Sequence, residues 1–320
     1  MKTYSKKIKQ NQTFEPQAQT SDPTIADFCT RLKLKVIRQG KSESLHISTT
    51  NINRPGLALV GFLEHFSAGR VQVIGENEMA YLSTLPQTQR EKAIEGFMKQ
   101  RFPCVIFSSG LVPDKSFMQC AERFDCVIFS SSLRSTTIIN ELSIYLNEML
   151  APEVVQHGVL MDVFGVGVLI EGKSGVGKSE TVLGLLERMH RLVADDAVSI
   201  KRIGDRLIGS SPEAIRYFME VRGIGIIDVR SMYGAGAVLH DKQIDLVLHL
   251  EEWNSKKEYN RLGSDKEVCN ILGLELPLHT IPVRSGRNMS IILEVAARNY
   301  RLKSLGYDAL SELNARVFDE

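Results

Sequence analysis

The run Gly172-Lys173-Ser174-Gly175-Val176-Gly177-Lys178-Ser179 matches the phosphate-binding pattern GxxxxGK[ST] at every fixed position. Glycines let consecutive backbone N–H groups curl around phosphate oxygens, and a helix beginning at the end of the loop adds partial positive charge. In that arrangement Lys178 spans the β- and γ-phosphates of ATP and the Ser179 hydroxyl takes Mg²⁺. The flanks agree with this reading. A β-branched run, Val166–Ile170, precedes the loop, and Val182, Leu185, Leu186 and Met189 predict an amphipathic helix from about Lys178 to His190. Fixed residues in a strand–loop–helix setting set the match apart from an ordinary turn. The motif specifies phosphate binding and leaves the phosphoryl acceptor open.

Acidic partners for such a loop come from several places. Leu192-Val-Ala-Asp-Asp-Ala-Val198 sets Asp195 and Asp196 inside an apolar run, where unpaired charge is costly. A metal, a lysine, a catalytic role or a salt bridge would each account for them. Glu220-Val-Arg-Gly-Ile-Gly-Ile-Ile-Asp228 encloses Glu220 and Arg222 in a glycine-rich segment, which allows close backbone approach to a ligand or marks bends. The apolar stretch Ile244–Glu252 ends in two glutamates, the form of a second acidic site and equally of an exposed pair after a strand. His157 stands one β-strand upstream of the loop. Tyr259–Gly263 and Pro282–Asn288 are arginine-bearing loops, solvated surface or, beside a triphosphate, stabilisers of transferring charge.

The elements that position these residues are legible in outline. Met1–Asp22 is polar and predicts a disordered tail over residues 1–22. Ile25, Phe28 and Leu32 give a helical face within Thr24–Leu34, and Val71, Val73 and Ile74 a strand within Gly69–Gly75. Cys104-Val-Ile-Phe-Ser-Ser109 recurs as Cys126-Val-Ile-Phe-Ser-Ser131 with a helical segment, Asp114–Arg123, between, the form of a βαβ unit with parallel strands. The serines that end each copy read as helix caps in preference to a ligand cleft. Ser135–Leu150 is helical through Ile138, Ile139, Leu142, Leu146 and Met149, and Ala151-Pro152 ends it. The boundary between an N-terminal α/β domain (23–150) and a C-terminal phosphate-loop domain (151–320) is placed there. A final helix, about Met289 to Leu302, carries Ile292, Val295 and Ala296 on its apolar side.

Thirty-nine Lys and Arg against 38 Asp and Glu leave a formal charge of +1, so no global field draws the chain to nucleic acid or to an anionic membrane. No apolar run has the length of a transmembrane helix, and Met1–Asp22 lacks the apolar core of a signal peptide. The five cysteines lack metal-ligand spacing and read as structural thiols of a cytoplasmic protein.

Taken in order, Gln156-His-Gly158, Gly172–Ser179, Val193-Ala-Asp-Asp196, Met219-Glu-Val-Arg-Gly-Ile-Gly-Ile-Ile-Asp228, Tyr259-Asn-Arg-Leu-Gly263 and Pro282-Val-Arg-Ser-Gly-Arg-Asn288 resemble the HPr kinase/phosphorylase family. The resemblance spans nearly all of 151–320 and, more weakly, 24–150. It implies a bifunctional, homohexameric enzyme with a C-terminal domain like that of phosphoenolpyruvate carboxykinase. Such an enzyme phosphorylates a serine of HPr, the phosphocarrier of the sugar phosphotransferase system. It also removes that phosphate by phosphorolysis, consuming inorganic phosphate and giving pyrophosphate. No His-Arg-Asp loop or Asp-Phe-Gly motif of the eukaryotic protein kinases is present.

By the same resemblance Asp196 is the general base of the forward reaction and the proton donor of the reverse, with His157 beside it. Lys178 and Arg261 stabilise the transferring phosphoryl group, Ser179 and Glu220 hold Mg²⁺, and Asp195 is a third candidate ligand. Pro282, Val283, Arg284, Ser285, Gly286 and Arg287 correspond to the family's dephosphorylation loop. Lys173 replaces a commonly acidic residue, and Ser285 stands where many relatives have proline, which loosens that loop. A carboxykinase-like kinase of small molecules and a nucleotide-binding sensor are the competing readings of the phosphate loop.

Overall fold

The computed structural model describes residues 23–43, 45–257, 259, 267–284 and 286–318. The expected N-terminal tail, Arg261 and Ser285 lie outside the described residues. Chain contacts separate an N-terminal unit ending at Ala151 from a C-terminal unit that includes Pro152–Glu320.

In the N-terminal unit the described residues form a five-stranded sheet of β1 (Lys35–Arg38), β2 (Ile52–Asn53), β3 (Val71–Ile74), β4 (Cys104–Phe107) and β5 (Val127–Ser130). The order is β1-β5-β4-β3-β2, parallel except for β1. The near-repeat becomes two adjacent parallel strands, with Cys104 opposite Val127 and Phe107 opposite Ser130. Their residues are buried almost throughout because helices cover both faces. On one side pack α1 (Ile25–Leu32) and α6 (Ser135–Met149), and on the other α2 (Gly56–Leu59), α3 (Glu76–Thr84), α4 (Gln87–Met98) and α5 (Lys115–Phe124). Thr24 caps α1 by accepting from the Asp27 N–H, and Asp114 caps α5 by accepting from Phe117.

The serines at the ends of β4 and β5 do not cap these helices. Ser108 Oγ donates to the Ile74 carbonyl, Ser130 Oγ to that of Leu111, and Ser131 Oγ accepts from the Leu133 N–H. Asp114 already supplies the cap of α5, so the serines fasten the loops at the strand ends instead.

The C-terminal unit is layered. Its described residues build a six-stranded sheet containing β7 (Val159–Val163), β8 (Val166–Gly172), β9 (Arg191–Ala194), β15 (Leu246–Glu252), β16 (Glu267–Ile271) and β17 (Leu274–Val283), in the order β16-β17-β15-β8-β7-β9. β8, β15 and β17 run parallel at its centre. A second sheet joins β6 (Glu153–His157), β10 (Ala197–Ile203), β11 (Arg206–Ser210) and β14 (Asp241–Gln243), all antiparallel. Alternation along β8 sorts its side chains between two cores. Val168 and Ile170 face helices α7 (Lys178–Leu186) and α9 (Met289–Ser304), whereas Leu169 faces the second sheet through Val154, Val198 and Ile200. The hairpin of β12 (Phe218–Val221) and β13 (Gly225–Asp228), α8 (Val229–Tyr233) and α10 (Ala309–Phe318) complete the unit.

Two helices depart from expectation. α7 ends at Leu186, and Met189 lies beyond it with a φ of 66° and 88% of its surface exposed. The chain turns there to start β9, and His190 is buried in its place. α9 buries Met289, Ser290, Leu293, Glu294 and Ala297, while Val295 is 58% exposed and Ile292 and Ala296 are only partly buried. Two polar residues therefore sit in the α7–α9 seam. Ser290 Oγ donates to the Thr181 carbonyl at 2.9 Å, and Glu294 receives both Arg188 (2.8 Å) and His190 (2.9 Å). These partners make the polar residues tolerable inside.

Candidate active site

The phosphate loop leaves β8 at Gly172, whose φ of 147° suits glycine alone. A Cβ there would lie 2.4 Å from the Leu250 carbonyl oxygen on β15. Gly177, at φ 97°, turns the chain into α7, so the first N–H groups of that helix open toward the loop. Lys178 folds back over the loop and donates from Nζ to the carbonyls of Gly172 (2.7 Å) and Lys173 (3.3 Å). Burial lowers the pKa of its ammonium, against the upward pull of Asp195 and Asp196.

The loop forms one wall of a cavity of about 180 Å³. Ser174, Gly175, Gly177, Lys178, Ser179 and Glu180 line it from the loop side, and His157, Asp195, Asp196, Glu220 and Arg222 from the other. Gly172, Lys173 and Val176 are not in the lining, and Val176 is instead buried in the core under α7.

Asp195 and Asp196 form the link between β9 in one sheet and β10 in the other. Asp196 has a φ of 66°, a left-handed conformation that aspartate tolerates better than most residues. Its side chain is 75% exposed to the cavity, so it is not the buried charge that the apolar run suggested. Strand pairing of His157 with Ala197 brings the imidazole to Asp196, with Nδ1 3.0 Å from its Oδ1. Asp195 is half-buried and accepts from the Glu220 N–H at 3.2 Å. Burial pushes its carboxyl upward and the neighbouring Asp196 pushes the same way, while the Glu220 N–H and Lys178 pull it down.

Comparisons with known proteins bear on this arrangement. The sequence model of the HPr serine kinase C-terminal domain matches residues 148–317, and that of the HPr serine kinase N terminus matches residues 24–146. An HPr kinase/phosphorylase of Caldanaerobacter subterraneus subsp. tengcongensis is 46% identical over 290 residues, 90% of this chain and 95% of that protein. One from Alkaliphilus metalliredigens is 45% identical over 295 residues, 92% of this chain and 96% of that protein. The chain belongs to the HPr kinase/phosphorylase family. A solved structure of the Hpr(Ser) kinase/phosphatase from Coxiella burnetii is 34% identical and covers 50% of this chain and 98% of that one, with a TM-score of 0.46.

As a member of the HPr kinase/phosphorylase family the chain is an enzyme, a kinase/phosphorylase, and its family takes a nucleotide substrate. Among the described residues no group of three His, Cys, Asp or Glu side chains is arranged to hold a metal ion. The cavity does offer the oxygens of Ser179, Asp195 and Glu220. That donor set fits Mg²⁺, which takes one or two carboxylates and completes its shell with water and substrate phosphates.

The described residues of Pro282–Arg287 are absent from this lining. Pro282 and Val283 end β17, Gly286 has a φ of 84°, the Arg284 guanidinium lies 5.9 Å from the Trp253 ring centroid, and Arg287 donates to the Pro282 carbonyl at 3.4 Å. None of these described residues lines the cavity. Of the glutamates ending β15, Glu251 is paired with Lys257 and Glu252 is exposed.

Two lining residues were given no role from the sequence. Arg222 donates to Ser174 Oγ at 2.8 Å, and its Nη1 would lie 3.0 Å from a Cβ on Gly175. Its even spacing from Glu220 was the available signal, since alternate strand residues share a face. Glu180 directly follows the motif and offered no such signal.

Among the described residues no helix is long and apolar enough to cross a membrane.

Proposed function

We propose that the enzyme transfers the γ-phosphoryl group of ATP to a serine hydroxyl of HPr. It reverses the transfer with inorganic phosphate, releasing pyrophosphate. The observation that carries this reading is the placement of Asp196, exposed in the cavity opposite the phosphate loop and held by His157. In the forward direction Asp196 takes the proton of the serine hydroxyl as the serine oxygen attacks the γ-phosphorus and the bond to ADP breaks. In reverse a phosphate oxygen attacks the phosphoserine phosphorus, the serine oxygen leaves, and Asp196 returns the proton to it. Microscopic reversibility assigns one carboxylate to both steps.

Lys178, now bonded to loop carbonyls, exchanges them for phosphate oxygens, and Arg261 adds charge to the transferring group. Arg222 lies close enough to the loop to join them. Ser179 and Glu220, with Asp195 alongside, would hold Mg²⁺, which would supply neutralisation of phosphate charge. Pro282–Arg287 serves the phosphorolytic direction. The C-terminal unit belongs with the phosphoenolpyruvate carboxykinase-like phosphate-loop kinases, and the enzyme works in the cytoplasm as a homohexamer that regulates carbohydrate use through carbon catabolite repression. The family match over both units and the resemblance of the motifs support these assignments.

The test is incubation with HPr, Mg²⁺ and ATP, followed by addition of inorganic phosphate. Intact mass reads phosphoserine, and a coupled assay reads pyrophosphate. Phosphorylation reversed with stoichiometric pyrophosphate is expected. Nucleotide binding with no transfer to HPr would overturn the substrate assignment, and transfer without reversal would overturn the phosphorolysis.

A further inference from the structure

On the face of β8 turned away from α7, two polar side chains meet between the sheets, one buried and one, Glu171, half-buried. Gln156 in β6 is 6% exposed, and its Nε2 donates to Oε1 of Glu171 in β8. Successive strand residues point to opposite faces, so each of the pair has a functional neighbour. His157, next to Gln156, is exposed and lines the cavity. Gly172, next to Glu171, opens the phosphate loop and accepts from Lys178. The Gln156–Glu171 contact thus joins the strand that bears His157 to the strand that enters the loop.

The amide is only half satisfied. Gln156 Oε1 is buried and has no hydrogen-bond partner among the described residues. Exchanging the amide oxygen and nitrogen would set oxygen against the Glu171 carboxyl, which only a protonated carboxyl could receive. A buried acceptor calls for a donor, and an ionised carboxylate has none to give. A carboxylic acid does. Its O–H can donate to Gln156 Oε1 while its carbonyl accepts from Nε2, closing a ring of two hydrogen bonds.

We propose that Glu171 is a neutral carboxylic acid ring-paired with the Gln156 amide, and that this pair is the positioning element that keeps His157 in register with the phosphate loop. Burial raises the Glu171 carboxyl above its ordinary value, the direction that the pairing requires. On the same face lie His249, its cross-strand neighbour on β15, and Cys269 on β16. Burial pushes the Cys269 thiol upward, so it brings no charge at neutral pH. Neither Glu171 nor Gln156 lines the cavity, so the pair acts through its neighbours.

The decisive variants follow from donor and acceptor counts. Glu171→Gln offers the same donor and acceptor as the neutral acid, and kcat is expected to stay within about twofold of wild type in both directions. Gln156→Leu breaks the ring and is expected to lower kcat roughly 10- to 100-fold with little change in KM for ATP, the signature of a misplaced catalytic group. The exchange Gln156→Glu with Glu171→Gln swaps acid and amide and is expected to restore kcat. A merely structural role would lower thermal stability, spare kcat per folded molecule and show no rescue by the swap.

The kinetic arm rests on the roles given above to His157 and Asp196. An infrared difference spectrum of wild type minus Glu171→Gln, with isotope-labelled glutamate, does not. At neutral pH it is expected to show a protonated carboxyl band. A carboxylate band, or a Glu171→Gln variant as impaired as Gln156→Leu, would overturn the pairing. Wild-type enzyme inactive on HPr would count against the proposed function and leave the spectrum to decide the pair.

Discussion

His157 Nδ1 lies 3.0 Å from Asp196 Oδ1 and 3.0 Å from the carbonyl oxygen of the same residue. Both partners are acceptors, so Nδ1 carries the proton. The ring is therefore oriented by backbone as well as by carboxylate. Strand pairing fixes that backbone, since the Gly158 N–H donates to the same Asp196 carbonyl at 3.1 Å. An imidazole held this way stays in place when Asp196 gains a proton, as the proposed function requires.

From this geometry His157→Ala is expected to lower kcat in both directions about 10- to 100-fold while leaving ATP affinity nearly unchanged. Steady-state kinetics with nucleotide titration checks this. A loss confined to ATP binding would move His157 from the proton to the nucleotide.

Gly172→Ala tests the entry to the loop. The substitution meets both a positive φ and a backbone oxygen 2.4 Å from the new Cβ, so β8 or the loop must shift. A destabilisation of about 1–3 kcal/mol with weakened nucleotide binding is expected, read by thermal unfolding and calorimetry. An unchanged melting temperature and Kd would show that the loop has slack the packing does not reveal.

Much of this was readable before the fold was known, and the failures have physical causes. The phosphate loop, α1, α6 and the paired strands of the near-repeat follow from local signals: fixed glycines, 3.6-residue periodicity and β-branched runs. What the sequence left ambiguous depends on contacts distant in the chain. The buried face of α9 holds Ser290 and Glu294 because Thr181, Arg188 and His190 are there to receive them, so apolar periodicity pointed to neighbours of the buried residues. Met189 fitted the periodicity of α7 but falls beyond its last turn. Asp196 lay in an apolar run yet is exposed, because the chain crosses between sheets at that residue. Gln156 was legible only as a neighbour of His157, and its burial is set by a strand fifteen residues on.

The α7–α9 seam gives a pH prediction. Hydrogen bonds from Arg188 chiefly, and from His190, hold the Glu294 carboxyl at about 2, below its ordinary 4.5. A depressed carboxyl contributes stability that is full above its unfolded value and is lost as pH falls through the folded one. Urea unfolding is therefore expected to show stability falling between about pH 4.5 and about pH 2, a slope that Glu294→Gln reduces. An identical slope in the variant would show that other carboxylates govern the acid limb.

A double-mutant cycle probes the same seam. Gly184 lets α9 approach α7, since a Cβ there would lie 2.3 Å from Ser290 Oγ. Ser290→Ala alone is expected to cost about 1 kcal/mol for the lost buried hydrogen bond. Gly184→Ala is expected to cost more, and less again when Ser290→Ala removes the oxygen it meets. Strict additivity in chemical unfolding would contradict the close contact.

Arg284 and Arg287 are absent from the cavity lining, and the proposed function gives them to the phosphorolytic direction. Arg284→Ala is expected to lower kcat/KM for phosphorolysis about tenfold and to change kinase activity less than about twofold. Equal losses in both directions would remove the distinction.

The most direct test is Asp196→Asn, which keeps the shape of the side chain and removes its proton chemistry. With HPr, ATP and Mg²⁺ in one direction and phosphoseryl-HPr with inorganic phosphate in the other, both rates are expected to fall roughly 10²- to 10⁴-fold. Nucleotide binding, measured in parallel, is expected to persist. Either direction surviving at the wild-type rate would contradict a single carboxylate handling the proton both ways.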